Sequence, residues 1–125
     1  MSRQTTLVSG RRLALLLTAQ AATLAVMSAL HLSGALDRGS LALGAGTAEG
    51  VLCLVLLLGA SALARRGAAG RPAALIALGV TILGFIYGLS ITTQSGTAID
   101  IAYHATMLPI LAATFGIVAS RPASR

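Results

Sequence analysis

Asp100 and His104 stand four residues apart in "AIDIAYHATM", the spacing that places two side chains on one face of a helix. A carboxylate one turn from an imidazole can orient it as a base, or both can ligate one metal ion. Glu49 adds a second acid inside the otherwise apolar "GAGTAEGVLCLVLLLGA", and His31 adds a second imidazole. His31, Glu49, Asp100 and His104 together form a reasonable donor set for zinc or another divalent transition metal. His31 and His104 are also candidates to ligate a haem between two helices. A third chemistry is acid–base catalysis on an isoprenoid- or quinone-like substrate, with Glu49 or Asp100 as acid and His104 as base. Isomerisation, cyclisation or epoxide opening needs only such proton transfer. Tyr87 and Gln94 are candidate ligand-binding residues beside these groups.

The elements that carry them must be membrane helices. The chain has 125 residues, room for one compact unit; 56% are hydrophobic and only 10% are charged, too few to clothe a soluble domain. Four apolar stretches, at about 13–36, 41–64, 73–93 and 98–119, are each long enough to cross a hydrocarbon core of ~30 Å. The predicted fold is an all-α membrane protein: one domain over 1–125, with four antiparallel transmembrane helices in an up-down-up-down bundle. Short connections require neighbouring helices to run antiparallel. Hydropathy shows no sustained heptad and no internal repeat.

Charge sets the direction. The net charge is +6, and the amino-terminal segment, the 65–71 loop and the carboxyl tail (Arg3, Arg11, Arg12, Arg65, Arg66, Arg71, Arg121, Arg125) hold eight of the nine basic residues. Only Arg38, beside Asp37, falls in the other two loops. The positive-inside rule then puts both termini and the 65–71 loop in the cytoplasm of a cell-membrane protein. These arginines read as topology signals and contacts to lipid headgroups; no aromatic-rich basic surface accompanies them, so nucleic acid is not an expected partner. The first apolar run is roughly twice the length of a signal-peptide core and is read as a span.

With that topology, Glu49 lies about 12 Å below the outer boundary, at ~1.5 Å per residue. Asp100, His104, His31 and Tyr87 fall in the same outer half, with Gln94 at its rim. A carboxylate facing lipid is costly, so each polar stripe predicts an inward face. The stripes are Gln20, Met27 and His31; Glu49 and Cys53; Tyr87, Ser90 and Gln94; Asp100, His104 and Met107. An outward-facing His/carboxylate pocket is the leading functional expectation, holding a metal, a haem or the polar group of a lipid-soluble ligand.

Each residue also has a structural reading. Asp100 suits the positive end of a helix macrodipole. Tyr87 and Tyr103 suit a membrane interface, and Pro109 can kink the last helix, freeing the carbonyl of Ala105. The pairs Gly46/Gly50 and Gly84/Gly88 suit close helix approach. "GAGTAEG" lacks the preceding strand of a nucleotide loop, and a single cysteine excludes an internal disulfide.

The chain is similar to small multidrug-resistance exporters in size and span number only. Those carry their essential glutamate in the first span, whereas Glu49 is in the second, and the inner half offers few polar groups for a pore. More generally, the chain resembles small bacterial four-span proteins, with "GFIYGLSITTQSGTAIDIAYHATMLP" as its most distinctive stretch. The bilayer is the expected partner; a homo-oligomer, or a role as assembly subunit of a larger membrane complex, is the non-catalytic alternative.

Overall fold

The computed structural model describes residues 2–121, and side-chain surroundings from residue 10 onward. Arg125 and the side chain of Arg3, both counted among the cytoplasmic arginines, lie outside the described residues. The described chain is all-helical, without strands: α1 (Ser2–Leu32), α2 (Ser40–Arg66), a 3-10 turn (Gly67–Gly70), α3 (Arg71–Ser95) and α4 (Ala98–Ser120). Three stretches are long and apolar enough to cross a membrane: Gly10–Leu32, Ser40–Ser95 and Ala98–Ser120. The middle one contains α2, the turn and α3.

Helix ends follow local chemistry rather than hydropathy. The first apolar run continues to Leu36, but α1 stops at Leu32. Gly34 takes a left-handed φ of 74°, and the amides of Gly34 and Ala35 bond back to the carbonyls of His31 and Leu30. That double closure is a Schellman ending, which satisfies two carbonyls a straight helix would leave open. At the other end of the molecule Gly67, φ 53°, closes α2 on Leu63. Thr97 starts α4, its side-chain oxygen accepting from the Asp100 amide. Helix α4 then runs through Pro109 without interruption.

The buried positions alternate in steps of four and three. On α4 they are Asp100, His104, Met107, Leu111, Thr114 and Val118; on α2 they include Ala42, Gly46, Glu49, Cys53, Leu56, Ala60 and Leu63. The same spacing runs through Leu13, Leu17, Gln20, Leu24, Met27 and His31 of α1 and through Ala74, Leu78, Thr81 and Phe85 of α3. A heptad seam is therefore present on every helix, contrary to the hydropathy reading. It was hidden because nearly all positions are apolar and the seam itself mixes acids, histidines and small residues. Such a seam suits helices inclined by about 20° to one another.

Contacts between helices pair rising numbers with falling ones. Gly46 meets His31 and Leu32 while Gly59 meets Leu17; Gly84 meets Leu52 while Gly59 meets Ala77. Gly88 meets His104, and Arg71 donates to the Ala119 carbonyl. Gln20 Nε2 donates to Thr114 Oγ1 at 2.7 Å and brings α1 against α4. The glycine pairs do approach neighbours, but Gly84 and Gly88 serve two different helices.

Burial is inverted relative to a water-soluble protein. Leu58 is 70% exposed, Leu15 69% and Ile76 68%, while Gln20, His31, Glu49, Asp100 and His104 are all buried. In water that arrangement would strand both kinds of group; in hydrocarbon it satisfies both.

Candidate functional site

Three helices, α1, α2 and α4, bring four titratable groups together near the end that carries the 33–39 loop. His31 is in the last turn of α1, Glu49 ten residues into α2, Asp100 in the first turn of α4 and His104 one turn later. His31 lies between the two acids: its Nδ1 is 2.9 Å from Glu49 Oε2, and its Nε2 is 3.5 Å from Asp100 Oδ2. His104 Nδ1 is 2.9 Å from the Asp100 carbonyl and 3.2 Å from Asp100 Oδ1. The result is a chain of contacts running Glu49–His31–Asp100–His104.

Partners assign the protons. A peptide carbonyl only accepts, so His104 donates from Nδ1 to the Asp100 carbonyl, and its Nε2 in the neutral ring is a free acceptor. His31 likewise donates from Nδ1, shared between the Met27 carbonyl at 3.1 Å and Glu49. Its Nε2 then faces Asp100 Oδ2, a favourable contact only if one further proton is held between them. Glu49 Oε1 and Asp100 Oδ1 are buried with no hydrogen-bond partner, the latter because the nearby His104 N–H is aimed at the backbone. A buried acceptor left unpaired carries a desolvation cost, so these two oxygens are where a donor or cation would be most strongly held.

A cleft of about 300 Å³ opens between α2 and α3 beside this cluster. Glu49 and His104, the two ends of the chain of contacts, line it together with Leu52, Gly84, Phe85 and Gly88. The glycines make the space. A Cβ on Gly88 would come within 2.5 Å of His104 Nε2, and one on Gly84 within 2.6 Å of Leu52. Phe85 packs its ring 5.0 Å from the His104 ring, and Tyr103 completes the aromatic wall behind it. The Tyr103 hydroxyl is 3.0 Å from Thr23 Oγ1.

The expected faces of α1, α2 and α4 are realised: Gln20, Met27, His31, Glu49, Cys53, Asp100, His104 and Met107 are all buried. The expected face of α3 is not. Tyr87 is 70% exposed and stands at the mouth of the cleft, while Ser90 and Gln94 are exposed; Gln94 Nε2 donates to the Ser90 carbonyl. Phe85 takes the inward position, and Tyr87, two residues on at 100° each, is turned to the opposite side. Polarity points to the wrong face of α3 because its inward residue near the cleft is aromatic; the four-residue step from Thr81 to Phe85 is the signal in the sequence.

One donor atom each from His31, Glu49 and Asp100 lies within 4.8 Å of the others, a three-donor group that His104 stands outside. The residues fit a small divalent ion with an open position better than a haem. The Asp100 carboxylate fills the space between the two imidazoles, where a haem held by His31 and His104 would have to stand.

Compared with protein-family models, curated proteins and solved structures, the chain matches none.

Proposed function

We propose that this chain is a cell-membrane protein of four spans, α1 to α4, with both termini cytoplasmic, and that it binds the polar head of a lipid-soluble ligand in the α2/α3 cleft. The bias of arginine toward one set of loops supports the orientation. Polar seams enclosed by exposed leucine and isoleucine support the spans. The observation that carries the ligand is that Glu49 and His104 belong both to the buried polar chain and to the wall of an otherwise apolar cleft. Concave, mostly apolar sites with a few convergent polar groups are the usual form of small-molecule sites.

Two experiments test it. In a Cys53→Ala background, a membrane-impermeant thiol reagent added outside intact cells labels Ser33→Cys and not Ala69→Cys, both exposed positions; the reverse pattern refutes the orientation. Native mass spectrometry of gently extracted protein finds a lipid-soluble adduct on the wild type. Gly44 lines the cleft with open space where its Cβ would stand, so Gly44→Leu fills the cleft and removes the adduct. No adduct, or an adduct indifferent to Gly44→Leu, refutes the cleft.

A second reading is favoured by the compact three-donor group: a divalent metal held by His31, Glu49 and Asp100. Elemental analysis after zinc or manganese loading finds one ion per chain under this reading, and half that or less in Asp100→Ala. Sub-stoichiometric metal in the wild type rejects it.

A further inference from the structure

The cleft wall has an unbalanced polar inventory. Its two inner polar residues offer acceptors: Glu49, whose Oε1 is buried and unpartnered, and His104, whose ring spends its N–H on the Asp100 carbonyl and keeps Nε2 as an acceptor. Of the lining hydroxyls, Thr92 spends its own on the Leu89 carbonyl, and those of the exposed Ser40 and Tyr87 belong to the mouth rather than the inner wall. Among the described residues no arginine lines the cleft: Arg38, in the 33–39 loop, lays its side chain against Gly34, and the other described arginines lie toward the opposite end of the bundle. An anionic head placed here would face Glu49 with no counter-charge. A carbonyl head would meet two acceptors and no deep donor.

We propose, on the cleft reading above, that the site selects amphiphiles whose head is a primary ammonium. An –NH₃⁺ group supplies donors for both unpaired acceptors and a charge opposite to Glu49, all within one small head. A quaternary ammonium has the charge without an N–H and leaves both acceptors unmet. An alcohol has one donor and no charge. The volume suits this class: at ~30 Å³ per water-sized unit, about 300 Å³ holds roughly ten heavy atoms. That is a head and the first part of an alkyl chain, with the remainder lying against exposed side chains such as Leu41 at the mouth.

The test uses the full chain in phosphatidylcholine nanodiscs, treated with a chelator so that metal does not compete. Saturable binding of radiolabelled decylamine, decanol, decyltrimethylammonium and decanoate is measured against protein-free discs. Decylamine binds about tenfold more tightly than decanol or decyltrimethylammonium, the difference expected of a hydrogen bond to a charged group, and decanoate shows no saturable binding. Glu49→Gln, which keeps an oxygen for the His31 N–H, lowers decylamine affinity about tenfold, and Gly44→Leu abolishes binding of every probe. Equal or tighter binding of decyltrimethylammonium or decanoate overturns the head-group selectivity and leaves the cleft standing. Absence of saturable binding by any probe, or binding that survives Gly44→Leu, overturns the cleft and the selectivity with it. Doping the discs with phosphatidylethanolamine separates two bearers of the same head. Displacement of decylamine assigns the site to a membrane lipid and its absence to a free alkylamine, and both support the ammonium.

Discussion

Gly88→Ala is the most direct probe of how α3 presents His104 to the cleft. The new methyl would stand 2.5 Å from His104 Nε2 and 2.9 Å from Cδ2, where ordinary contact begins at 3.4 Å. The ring would have to withdraw by about 0.9 Å. It is not free to do so, because Nδ1 is tied to the Asp100 carbonyl at 2.9 Å and Phe85 packs beside the ring. Either that bond breaks or α3 and α4 part. Overpacking of this kind costs about 1–3 kcal/mol. Alanine also gains up to about 1 kcal/mol of helix propensity over glycine, so the raw change understates the clash. Gly79→Ala and Gly116→Ala are the proper references, since a Cβ at either position meets nothing within 4 Å. Relative to them, Gly88→Ala is expected to lose about 1–3 kcal/mol in reversible unfolding by denaturing detergent. The ¹⁵N resonances of the His104 ring are expected to shift as well. Stability equal to the two references, with unchanged His104 resonances, would mean the imidazole does not face α3 at Gly88. The cleft wall described above would then be wrong.

Other perturbations separate the polar contacts by kind. Asp100→Ala removes the carboxylate that both imidazoles approach, and taking away one partner of a buried pair costs about 3–5 kcal/mol; thermal denaturation should show this as the largest loss among single changes at the cluster, with Asp100→Asn less severe. Gln20→Leu behaves oppositely. Gln20 Oε1 is already unpartnered, and Thr114 keeps its bond to the Ile110 carbonyl, so the change stays within about 1 kcal/mol of wild type in the same assay. Tyr87→Leu leaves stability unchanged, because the ring is outside the seam; a loss comparable to Asp100→Ala would show that α3 is rotated.

What could be read from the sequence depended on which signal survives in an apolar chain. On α4 the period was visible because Asp100, His104 and Met107 are chemically unlike the residues around them. The same holds for Gln20, Met27 and His31 on α1. On α3 the polar residues near the helix end, Ser90 and Gln94, are exposed and bond their own backbone, as Ser90 does to the Tyr87 carbonyl and Gln94 to the Ser90 carbonyl. Polarity there marks a helix end more than an inward face, since Thr92 is buried while Ser90 and Gln94 on either side of it are not. The buried seam of α3 is instead mostly apolar, Ala74, Ala77, Leu78, Thr81 and Phe85, so no acid or imidazole marks it. Hydropathy could not reveal the heptads for a related reason. In water the period is written as apolar against polar; here both faces are apolar on average and the inward one holds the acids. The stop of α1 at Leu32 was equally invisible to hydropathy, since "LSGAL" remains apolar while Gly34 turns the chain.

The position of the cluster restricts what the site can do. Toward the arginine end the interior is closed by Leu17, Leu24, Leu56, Leu78 and Leu111, none of which has measurable exposure. The polar groups within that region, Gln20, Thr81 and Thr114, are spent on each other or on helix carbonyls, apart from one oxygen of Gln20. On the α1 side the approach is shut by Ser28, whose hydroxyl donates to the Gly46 carbonyl at 2.6 Å, and by His31 and Leu32 against Gly46. The cleft between α2 and α3 reaches Glu49 and His104 by a third direction, across the bundle rather than along it. A solute entering there meets the acceptors and then a wall of leucine. A conduit would require polar groups spaced through the full depth, whereas this arrangement concentrates them at one level beside a lateral opening. That arrangement supports the proposed lateral cleft over a conduit.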